Sequence, residues 1–296
     1  MEVYRALGLL IEAPTVEHGA VAAALDLPPP PEPAIHGNEV AFQRYPYASV
    51  YLGEEGKLGG EARARIAGFW HALGLEAPDE PDHISALLSL ATGLTKAEHA
   101  ETDPARGALL KEARSALLWE HVHSWCVPYL ESFRTSPSAY YRAWGDLVRR
   151  VIRQELSEGP YPLHLPQALN AAGELTLVDP RKGDSGAGFV PELLAPVRSG
   201  LVVLRSDLAD LADALNLAMR AGERAYALSS FLAQDPGKTL EWLAGFASRW
   251  AARLEEGDAG RQDPVVAWWV RRARSTAALL GALAQDAEVR PPAGRA

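Results

Sequence analysis

Three short runs carry side chains able to hold a proton or grip a charged ligand. The first is Glu80-Pro81-Asp82-His83. A carboxylate beside an imidazole at a helix mouth binds basic or polar groups through charge-assisted hydrogen bonds. The same run is also an ordinary helix start, because proline suits the first turn and acidic side chains complement the positive helix end. The second run is Glu120-His121-Val122-His123-Ser124-Trp125. His121 and Trp125 are four apart and share a helix face, as do Trp119 and His123. The two histidines point to different sides, and the HExxH spacing that sets two metal ligands on one face is absent. An aromatic cluster explains this run better than a metal site. The third run, Tyr45-Pro46-Tyr47-Ala48-Ser49-Val50-Tyr51, flanks a proline with aromatics, a rigid apolar surface that packs internally or receives a ligand.

Other chemistries find less support. Gly183-Asp184-Ser185-Gly186 looks like the surroundings of a trypsin-type nucleophile. That fold is a double β-barrel with an upstream histidine motif, and this chain lacks both. No Gly-Lys-Ser/Thr follows the glycines as a phosphate-binding loop requires, so no nucleotide site is visible. The single cysteine, Cys126, excludes an internal disulfide and a multi-thiolate metal or iron–sulfur centre. No cofactor is expected. A metal-dependent hydrolase built from Asp82, His83, His121 and His123 is the weakest reading.

The elements that must position these residues are helical. Leu204, Leu208, Leu211, Leu215 and Met219 step by three or four, with Ser206-Asp207 placed to cap the start. After Pro236-Gly237 the stripe is Leu240, Leu243, Phe246, Trp250 and Leu254. After Asp263-Pro264 it is Val265, Trp268, Trp269, Ala273, Leu279, Leu280 and Leu283. Residues 107–131 and 138–156 read as two more helices, the second carrying Tyr140, Tyr141, Trp144, Leu147 and Val151. Only Ser49–Leu52 and Leu175–Val178 resemble strands, and neither has an obvious partner. Pro28–Pro33 is expected to be extended. Residues 157–200, rich in glycine and proline, read as a hinge or linker, or a functional loop, between a 1–156 domain and a 201–296 helical domain with a frayed tail. Such a hinge permits exchange between two copies, so a homodimer is one expectation.

Charge narrows the partner. The formal charge is -9, and residues 1–110 hold all of that excess, with 16 acidic against 7 basic side chains. Phosphate contacts need clustered Lys and Arg, so nucleic acid is excluded. A negative surface draws basic partners. No run approaches about 18 apolar residues, so no membrane span is expected. The N-terminal apolar run stops at Glu12 without a basic region before it and reads as an amphipathic helix, not an export signal. A cytoplasmic protein is expected.

The three runs together resemble the TorD/DmsD family of redox-enzyme maturation chaperones. Pro81-Asp82-His83 precedes a Leu-rich helix, and His121-x-x-x-Trp125 follows near the end of the next. Tyr45–Leu52 looks like the family's Pro-aromatic-x-Ser-Val-Tyr segment. The resemblance covers roughly residues 40–156. It implies an all-α helical bundle without catalysis. Such chaperones bind the twin-arginine signal peptide and the immature catalytic subunit of a molybdopterin oxidoreductase, delaying export until the cofactor is loaded. By motif, Pro46, Tyr47, Asp82 and His83 match the signal-peptide-binding positions, Glu80 and Pro81 complete the Glu-Pro-Asp-His run, and His121 and Trp125 match the second helix signature. The chain departs from the pattern at Pro128, one residue late, and at Val40-Ala41-Phe42, where a Leu-Phe segment is reduced. The 201–296 helices exceed the family's usual length. An all-helical adaptor with another partner is the alternative.

Overall fold

A computed structural model describes residues 2–157, 162, 164–182, 188–258 and 262–289, and among these every regular element is a helix. In order these are α1 (Glu2–Leu10), α2 (Val16–Ala24), α3 (Pro33–His36), α4 (Ala48–Leu52), α5 (Gly60–Ala72), α6 (Ile84–Ala100), α7 (Pro104–Ala116), α8 (Ser124–Ser132), α9 (Ala139–Leu156) and α10 (Gln167–Ala171). Then come α11 (Phe189–Leu193), α12 (Pro196–Ser199), α13 (Arg205–Leu215), α14 (Arg224–Gln234), α15 (Pro236–Asp258) and α16 (Pro264–Val289). Two stretches, Gly37–Ala41 and Leu117–His123, are π-helical.

The chain folds as two compact units, Met1–Gly53 with Lys57–Ala171 and Glu54–Gly56 with Ala172–Ala296. The segment 157–200, expected as a hinge, carries α10, α11 and α12, with Leu169, Leu193 and Val197 fully buried. Gly159, Pro160, the Gly183–Gly186 run and the tail from Arg290 lie outside the described residues.

The first unit is built on aromatics. Trp125 and Tyr129 of α8 and Tyr140, Tyr141 and Trp144 of α9 are buried, and Tyr129 meets Phe133 edge-on at 5.1 Å. The buried stripe of α9 continues through Val148 and Ile152, one position past the expected Leu147 and Val151, which stay partly exposed. Steps of four from Trp144 keep the stripe on one face.

The last four carbonyls of a helix lack partners inside it. In α1 all four are taken by side chains from elsewhere. Trp144 Nε1 donates to Leu7 O at 3.0 Å, Ser85 Oγ to Gly8 O at 2.8 Å and Tyr140 Oη to Leu10 O at 2.8 Å. His18 Nε2 lies 2.9 Å from Leu9 O. The exit of the chain from α1, and with it Glu12, is therefore pinned by α2, α6 and α9.

Pro128 does not end its helix. It sits inside α8, which runs on to Ser132 directly after the π-helical stretch. There Ser124 Oγ donates to Glu120 O and Trp125 Nε1 to His121 O, both at 2.8 Å, satisfying carbonyls beside the irregularity. Pro33 is helical rather than extended, because its fixed φ suits the first position of α3.

In the second unit the expected stripes of α15 and α16 are buried, apart from a half-buried Leu279. Asp263 caps α16, accepting Val265 N at 2.9 Å. The start of α13 works differently from expectation: Asp207 reaches back to accept Leu204 N at 2.7 Å, and Met219 falls beyond the helix. Gly200 has a φ of 75°, and a Cβ there would stand 2.5 Å from Ala273 N of α16, so only glycine fits. Buried Arg272 stacks on Trp268 and donates to the carbonyls of Ala172, Gly173 and Leu175.

Candidate functional site

Pro46, Tyr47, Glu80, Pro81, Asp82 and His83 are brought together in the first unit by two backbone hydrogen bonds. Ala48 N donates to Asp82 O at 3.0 Å, and Ile84 N to Pro46 O at 2.9 Å, an isolated antiparallel bridge between Tyr47 and His83. The residues each helix start leaves unpaired explain the rest. Ser49–Leu52, strand-like in composition, lies in the short helix α4, whose own N-cap residue Tyr47 offers no capping side chain. Asp82 supplies the cap instead: its Oδ2 accepts Ser49 N at 3.1 Å while the residue is only 2% exposed. Asp82 therefore faces inward and serves one helix, while His83 serves another. The helix expected to begin at Pro81 begins at Ile84, with His83 as its N-cap and Nδ1 accepting Ser85 N at 3.2 Å.

Above this buried frame stand the accessible groups. Glu80 is exposed and accepts the Tyr47 hydroxyl at 2.9 Å. Burial, and then that hydrogen bond to a carboxylate, push the Tyr47 phenol up to about 12, so it stays a donor. The Tyr47 ring meets His83 edge-on at 4.8 Å. Burial holds His83 below its ordinary value against the pull of Glu12, Glu80 and Asp82, so the imidazole is neutral at pH 7. Glu12, which no motif or spacing in the sequence singles out, places Oε1 3.5 Å from His83 Nδ1.

His121 and Trp125 make no hydrogen bond, ion pair or ring contact to these six residues. Their helix faces diverge: the His121 ring packs on Phe69 of α5 at 4.6 Å, while fully buried Trp125 stacks on Tyr51 of α4 at 5.4 Å. Trp125 thus supports the helix that Asp82 caps. Burial, with Arg65 second, lowers His121 to about 4. His123 instead stacks on Trp119 at 5.7 Å. Among the described residues no three His, Cys, Asp or Glu side chains are arranged to hold a metal ion, and no helix is long and apolar enough to cross a membrane.

The all-helical first unit thus carries an exposed carboxylate and a half-buried phenol beside capped helix starts. Residues 43–131 match the family described as nitrate reductase delta subunit, a family of chaperones for molybdoenzyme maturation, and the match supports the TorD/DmsD-type kinship read from the motifs. It spans every predicted site residue and excludes Glu12 and the whole second unit except Glu54–Gly56. No curated protein and no solved structure matches the chain.

Proposed function

We propose that the chain is a cytoplasmic chaperone that binds the twin-arginine signal peptide and the immature catalytic subunit of a molybdenum-cofactor oxidoreductase, assists cofactor insertion and delays export. The observation that carries this reading is the pair of exposed Glu80 and half-buried Tyr47, which stands within the matched segment on a turn whose backbone is locked by Asp82 and His83. A carboxylate beside an aromatic face complements a basic group followed by apolar residues. Tyr47, Glu80 and the edge of His83 touch the peptide, while Pro46, Pro81, Asp82 and Trp125 shape the surface beneath them. His121 acts through its packing on α5. The first unit is the chaperone body, and no catalytic step is assigned.

Calorimetric titration of the purified chain with twin-arginine signal peptides from molybdoenzymes of the same cell tests this reading, alongside copurification with their catalytic subunits. Binding lost when both arginines become alanine supports it. Absence of any such interaction returns the chain to the adaptor reading.

A further inference from the structure

Glu12 lies two residues beyond α1, held there by the side-chain caps on the carbonyls of Leu7, Gly8, Leu9 and Leu10. Its side chain is 50% exposed. The nitrogen it faces, His83 Nδ1, already accepts the N–H of Ser85, so in the neutral ring the proton resides on Nε2. Carboxylate and imidazole lone pair then confront each other with no proton between them, and the contact is not an ion pair. Among the described residues no lysine or arginine pairs with Glu12 or with Glu80. His83 is 8% exposed, and its Nε2–H meets no acceptor among the described residues. Tyr47 links the two carboxylates, its hydroxyl donating to Glu80 at 2.9 Å and its ring meeting, at 4.8 Å, the His83 imidazole that Glu12 faces at 3.5 Å. Two accessible acceptors without a cation, the Tyr47 and His83 rings that link them and an imidazole donor without a protein acceptor form a complementary set. A planar guanidinium with its forked donors fits the carboxylates and the ring, and a peptide carbonyl fits the donor.

We propose that Glu12 is a binding residue for an arginine side chain of the captured peptide, acting with Glu80 across Tyr47, while His83 Nε2–H donates to a main-chain carbonyl of the same peptide. This rests on the peptide-binding reading above and extends the site to a segment outside the matched family region. Glu12 thereby ties the site to the fold of α1, which the Glu-Pro-Asp-His motif does not contact through sequence.

The test is a double-mutant cycle between Glu12→Gln and replacement of each peptide arginine by citrulline, which keeps the shape and removes the charge. The probe is a synthetic peptide with two consecutive arginines followed by an apolar segment. Glu112→Gln on the exposed face of α7 serves as the charge-matched control. In the wild-type chain, citrulline at one of the two positions should weaken binding about tenfold, the scale of a charge-assisted contact. In Glu12→Gln the same replacement should cost less than about twofold, and Glu112→Gln should behave as wild type. Equal losses for arginine and citrulline peptides in Glu12→Gln, with wild-type binding intact, overturn the assignment of Glu12 and leave the peptide-binding reading standing. A wild-type chain that binds neither peptide overturns both.

Discussion

Asp82 and Ser49 lie 33 residues apart in sequence, and the carboxylate of one accepts the backbone N–H of the other at 3.1 Å. This bond joins the two motif runs into one surface and separates two roles that the Glu-Pro-Asp-His run holds side by side. Asp82 stabilises the frame, and Glu80 faces the solvent. Asp82→Ala leaves a buried N–H without a partner and should cost about 1–3 kcal/mol in urea denaturation. Glu80→Gln should leave stability within about 0.5 kcal/mol and weaken peptide binding. A stable Asp82→Ala chain with lost binding would instead make Asp82 a contact residue.

The pH dependence of stability follows from the buried histidines. Burial, then Arg65, holds His121 at about 4 against an ordinary 6.5. Between those values the unfolded chain takes up a proton that the folded chain refuses, so stability falls as pH drops from 6.5 towards 4. The gap corresponds to about 3 kcal/mol. His36 and His83, lowered chiefly by burial, act in the same direction. His121→Phe should remove about 2–3 kcal/mol of the loss between pH 7.5 and pH 4 in urea melts. An unchanged slope would mean that His121 titrates freely in the fold.

Tyr140→Phe removes only the hydroxyl that caps Leu10 O. It should cost about 1–2 kcal/mol by leaving a buried carbonyl unpaired, and amide exchange should quicken around the end of α1. If exchange there is unaffected, α1 is held by the other caps alone.

Arg272 tests the second unit separately. Burial, then Arg198, lowers its pKa, yet the guanidinium stays charged and spends its donors on the carbonyls of Ala172, Gly173 and Leu175. Arg272→Lys cannot reproduce that fork and should lose about 2–3 kcal/mol, with new protease cleavage near residues 172–175. Resistance to cleavage would show that the segment is held by other contacts.

Much of this was legible in residue spacing. The stripe Leu240, Leu243, Phe246, Trp250 and Leu254 turned inward as its period demanded, and Asp263 capped α16. Capping chemistry across the site was less legible. Asp82 looked like a first-turn acid of its own helix because proline and carboxylates favour that position. It caps α4 instead, since Tyr47 cannot. Ser49–Leu52 looked strand-like for a related reason, its β-branched and aromatic residues being set in a helix by that distant cap.

Local periodicity and turn chemistry act over a few residues, so the sequence by itself determined that the chain is helical, where most helices lie and which motif residues travel together. Long-range partners carry no periodic signal. Only the tertiary structure decided that Asp82 is buried against Ser49, that His121 and Trp125 part company onto Phe69 and Tyr51, and that four capped carbonyls of α1 deliver Glu12 to His83. Each depends on which unpaired backbone group happens to face which side chain once the helices have packed.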